Sequence, residues 1–92
     1  MRIVIDELAV KDLNAIGEWI ARDNLNAAKE VVQIILQAIA YLETFPRMGH
    51  TGRTKDTYEC DVSGTSYIVV YELWEKPSAV VVTAVFHGAR NR

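Results

Sequence analysis

The sequence is 92 residues long, half of it apolar, with a formal net charge of −2. Residues 1–92 are therefore expected to form a single domain, because so short a chain cannot build two separate cores. The acidic balance, with a pI near 5.6, argues against direct nucleic-acid binding by this chain, since such binders usually carry a basic face.

The first six residues, Met-Arg-Ile-Val-Ile-Asp, lack the apolar run of a secretory leader. No stretch approaches the roughly 18 apolar residues a membrane helix needs. A cytoplasmic protein with no membrane association is expected. The β-branched content of residues 2–5 predicts a short strand, and Asp6 is placed to cap the helix that follows. Ala9, Leu13, Ile16 and Ile20 then recur at helical spacing, which predicts a helix to about Arg22.

Asp23-Asn24-Leu25-Asn26 breaks that pattern and supplies caps for a second helix from Ala27 to about Thr44. Its apolar stripe includes Ala28, Val31, Val32, Ile35, Ile39 and Leu42, and is widened by Ile34, Ala38 and Tyr41. So narrow a polar side is unusual for the surface helix of a monomer. Pro46 ends it. Residues 46–56 are polar and contain glycine, and read as a loop carrying Arg47, Arg53 and Lys55.

Tyr58–Val62 alternates as a half-wet strand, Ser63-Gly64-Thr65 is a turn, and Ser66–Leu73 is a strand. Residues 74–78 form a second turn, which should expose Trp74, and Ala79–Phe86 is the last strand. Cys60, the single cysteine, has no disulfide partner and no metal-ligand spacing, and is expected in the core of a protein from a reducing compartment. No metal or other cofactor is expected. The order is βααβββ, an α+β fold with a twisted antiparallel sheet and two helices packed on one face.

Simple alternation sends Tyr67, Val69, Tyr71 and Leu73 to one face, and Ile68 and Val70 to the other. On the last strand it opposes Val80, Val82, Ala84 and Phe86 to Val81, Thr83 and Val85. Both faces are thus apolar, yet two helices cover only one. The second face either lies under loop 46–56 or meets a partner protein. The latter is the reading adopted, with Ile68, Val70, Val81, Thr83 and Val85 as the contact residues.

Several segments look familiar in order. Ala9-Val-Lys-Asp-Leu-Asn-Ala-Ile16 with Glu18-Trp-Ile20, Asn26-Ala-Ala28, Ala38-Ile39 with Leu42, Pro46 and Gly49, Tyr67-Ile-Val-Val-Tyr71, and His87-Gly-Ala-Arg90 together resemble the RelE/ParE toxin superfamily of type II toxin–antitoxin and plasmid stabilisation systems. The resemblance implies a toxin neutralised by a cognate antitoxin that wraps around it, here a ParD-like protein with a ribbon-helix-helix domain. It also implies one of two activities: mRNA cleavage in the ribosomal A site, as in the RelE-like branch, or non-enzymatic poisoning of DNA gyrase, as in the ParE-like branch.

Metal-free RNA cleavage needs a base, an acid and cations around the phosphate. Where the resemblance implies an Arg after the first Tyr of the strand, this chain has Ile68. Glu59 and Asp61 stand where basic residues are expected, and the usual G-T-R-E reads Asp56-Thr-Tyr-Glu59. His87 and Arg90 would be the catalytic pair of a ribonuclease. His87 is read instead as a strand anchor, so no catalytic residue is assigned, and target contacts are placed on Arg53, Lys55, Trp74 and Arg90. The reading is a gyrase poison; an mRNA endonuclease and a non-toxic assembly subunit of the toxin–antitoxin repressor complex are the alternatives.

Overall fold

β-Branched residues open the chain, and Arg2–Ile5 forms β1 in the computed structural model, which describes residues 1–89. Helix α1 spans Glu7–Ala21 and buries Ala9, Leu13 and Ile16. Asp6 occupies the cap position, but its side chain makes no capping bond; its amide donates to the carbonyl of Val82 instead. Helix α2 spans Leu25–Tyr41 and starts at Asn24, whose Oδ1 accepts from the Ala27 amide at 3.0 Å. It ends a turn earlier than the spacing predicts, and tight turns carry the chain to Pro46.

Five strands form the sheet, in the order β1-β5-β4-β3-β2. Strand β3 is Tyr58–Asp61, β4 is Tyr67–Glu75 and β5 is Ser78–His87. The fold is the expected α+β arrangement of two helices over a sheet, with two corrections. The sheet is mixed: β1 pairs parallel to β5, a pairing that needs a long connection, here the whole chain between them. And the loop read over 46–56 contains a two-residue edge strand, β2, His50–Thr51, antiparallel to β3.

The core lies between the helices and one face of the sheet. Ile35, Ile39 and Leu42 of α2 and its end pack with Val69, Tyr71, Val80 and Val82, all essentially without solvent contact. Each such side chain contributes about 1.5–3 kcal/mol relative to an exposed one. Cys60 is buried in this core as expected, and burial pushes its thiol up from the ordinary value. Among the described residues no helix is long and apolar enough to cross a membrane.

Candidate functional site

The face turned away from the helices is built by cross-strand register. Ile68 pairs with Phe86 and Asp61, Val70 with Ala84 and Glu59, and Glu72 with Val81. A register shift between Val70 and Tyr71 leaves Thr83 as an extra residue in β5. Such a bulge reverses the alternation beyond it. Val85 therefore joins Val69 in the core rather than Val81 on the open face. Its amide donates to Asp12 Oδ2 of α1 at 2.9 Å, so the helix pins the strand just past the bulge.

The open face divides into two ends. At the loop end the chain covers itself. Arg53 lies over the Phe86 ring at 5.4 Å, its Nε is 3.9 Å from Glu59 Oε2, and its amide donates to the same oxygen at 3.2 Å. Gly88 approaches Ile68 closely, and Ile68 is only 5% exposed. At the hairpin end a hollow of about 400 Å³ lies among Val4, Glu72, Trp74, Pro77, Val81 and Thr83. Its floor is tight, since Val81 is 8% exposed, but Trp74 on its wall is 46% exposed.

Of the five residues placed on an uncovered apolar face, Val70 and Thr83 are half-buried there, Ile68 and Val81 are buried, and Val85 lies on the other side. Trp74 is exposed as expected, but at the end of β4 rather than in a turn: the hairpin link is only Lys76-Pro77. Its indole N–H donates to Glu72 Oε1 at 3.0 Å. Trp19 is half-exposed, with the Arg22 guanidinium 5.2 Å over its ring. Lys55 is exposed in the loop.

His87 lies opposite Tyr67 and meets its ring edge-on at 5.2 Å, on the core side of the sheet. The Ala89 amide donates to its Nδ1 at 3.2 Å. That arrangement suits a strand anchor. Arg90 lies outside the described residues.

The wide apolar stripe of α2 marks a second surface, whose individual residues sequence reasoning did not single out. Between the outer flanks of α1 and α2 runs an apolar groove of about 780 Å³, lined by Gly17, Ala21, Leu25, Val32, Leu36 and Ala40 among others. Leu25 and Leu36 are exposed. The signal was present: residues 25, 32, 36 and 40 form a second apolar row beside the core row of 28, 35, 39 and 42.

A sequence model of the ParE toxin of the type II toxin–antitoxin system parDE matches residues 3–92. Over 65 residues the chain is 35% identical to the candidate toxin Y4kP of Sinorhizobium fredii (strain NBRC 101917 / NGR234), covering 71% of this chain and 68% of that one. Its fold superposes with a TM-score of 0.83 on a chain of the chromosomal ParDE TA system from P. aeruginosa, at 13% identity over 95% of each chain. The isolated E. coli RelE toxin gives a TM-score of 0.72 at 18% identity, covering 99% of this chain and 87% of that one. A chain of the intact E. coli RelBE toxin–antitoxin complex gives 0.68 at 19% identity, covering 91% and 92%. At these identities the structural likeness speaks for the shared fold alone.

Proposed function

This chain belongs to the ParE toxin family of type II toxin–antitoxin systems, and from that premise we propose that it arrests growth by binding a protein target, DNA gyrase, rather than by cutting mRNA. The observation that carries this reading is the loop end of the open face. There a buried Ile68 and a buried Glu59 occupy the surface that a ribonuclease would line with cations, and the Arg53 guanidinium is already engaged by Glu59 and Phe86. An RNA phosphate placed there would meet a carboxylate and an aliphatic side chain, which offer it no stabilisation.

The target contacts of this reading are the exposed Trp74, the loop cations Arg47 and Lys55, and Arg90 beyond the described residues; Arg53, held by Glu59 and Phe86, is left out. Its antitoxin, a ParD-like protein, lays an amphipathic helix in the groove between α1 and α2, where Leu25, Val32 and Leu36 offer the regularly spaced apolar contacts such a helix uses. Val81 and Thr83 in the hollow at the hairpin end of the sheet are a second place for the antitoxin chain.

The test is direct. Purified protein released from its antitoxin should inhibit gyrase supercoiling and trap cleaved DNA, and should leave mRNA on translating ribosomes intact. Cuts in the ribosomal A site, with gyrase unaffected, would overturn the assignment. Absence of toxicity on expression without antitoxin would favour the assembly role instead.

A further inference from the structure

We infer that Tyr71 is a positioning residue for the cationic loop over 46–57, setting the loop's shape with its hydroxyl and directing Arg47 through Tyr58. The inference deepens the target-binding reading above and rests on it.

Tyr71 has no solvent contact and stands in the middle of β4, yet its hydroxyl reaches the loop. It donates to the carbonyl of Pro46 at 2.9 Å and accepts from the Gly49 amide at 3.0 Å. One side chain thus holds both ends of the segment 46–49, using its donor and its acceptor capacity together. The fit leaves no room for a side chain at 49. A Cβ there would lie 2.7 Å from the Tyr71 hydroxyl and 2.7 Å from the Glu59 carbonyl oxygen. The spacing of Pro46, Gly49 and Tyr71 is therefore one physical unit.

The unit extends to a cation. The Tyr58 ring stacks on Tyr71 at 5.5 Å with the planes 21° apart, and its hydroxyl accepts from Arg47 Nη1 at 3.3 Å. Arg47 is thereby aimed by a ring that Tyr71 supports. Other ties of the loop include the two-residue β2–β3 ladder, the Gly52 amide to the Thr57 carbonyl, the Thr57 amide and hydroxyl to the Thr54 carbonyl, and Arg53 on Glu59. Burial raises the Tyr71 hydroxyl above its ordinary value, so the phenol keeps its proton for Pro46 throughout the neutral range.

Two conservative variants test the inference in the full chain: Tyr71→Phe, which keeps the ring but removes both hydrogen bonds, and Tyr58→Phe, which removes only the acceptor for Arg47. Hydrogen exchange is read on the antitoxin-bound protein, and potency as growth arrest without antitoxin, which does not depend on knowing the target. Tyr71→Phe should speed exchange of the amides over 47–52 by about tenfold, leave α1 and α2 amides unchanged, and weaken growth arrest. Tyr58→Phe should weaken growth arrest while melting temperature and loop protection stay as in wild type, a result that a purely structural role would not give. Unchanged loop protection in Tyr71→Phe, or full toxicity of Tyr58→Phe, would overturn the inference.

Discussion

The two faces of the sheet are made of much the same residues, and they are closed in different ways. On one side Val69, Tyr71, Val80 and Val82 lie under two helices. On the other no helix lies over the strands: Ile68 is closed by the approach of Gly88, and Phe86 by the Arg53 guanidinium over its ring. A face sealed by packed helices resists change through cavity energetics. A face sealed by side chains can open by rotamer changes, so it can be shared with a partner without disturbing the fold. An apolar strand pattern therefore says that a face will be covered, but not by what.

Substitutions should separate the two faces cleanly. Ile35→Ala, on the buried side of α2, should lose about 2–5 kcal/mol in a urea titration, the range for large-to-small changes at buried sites. A loss below about 1 kcal/mol would mean that the helix face is no better packed than the open one. Asp12→Ala removes the acceptor of the Val85 amide and should cost about 1–3 kcal/mol, with Asp12→Asn recovering most of it by the same titration. Leu36→Glu in the exposed groove should leave the melt near wild type and weaken antitoxin binding at least tenfold, about 1.4 kcal/mol in calorimetry. Unchanged affinity would remove the groove from the interface. Trp74→Ala should change stability least, within about 0.5 kcal/mol, while reducing toxicity; a large drop in melting temperature would show that the bare end of the sheet is as integral as the core.

Much of this was legible in the sequence because it is local. The stripe Ala9, Leu13, Ile16 gave α1 and its buried face, and Asn24, within the expected cap segment, makes its cap; Pro46 did not set the stop, since α2 already ends at Tyr41. The less legible features depend on distant residues. Thr83 suits a strand whether or not it is bulged, so nothing nearby announced that Val85 would turn inward toward Asp12. The parallel direction of β1 depends on where α1 must land. The site was harder still, because Arg53 reaches Phe86 across the sheet, and a polar loop gives no sign that its arginine is already occupied. The Pro46–Gly49 spacing was visible as a resemblance, but its cause, the Tyr71 hydroxyl, sits two strands away.

The parallel pairing of β1 with β5 has a consequence in time. Arg2 pairs with Ala79 and Ile5 with Val82, so the sheet joins residues from nearly opposite ends of the sequence. Closing so long a loop is entropically costly, and domains dominated by such non-local pairs fold slowly. During synthesis, α1 can form early but cannot be held against β5 until that strand has left the ribosome. Asp12 has no Val85 amide to accept from before then. The fold is thus completed late, when the last strand closes against the first.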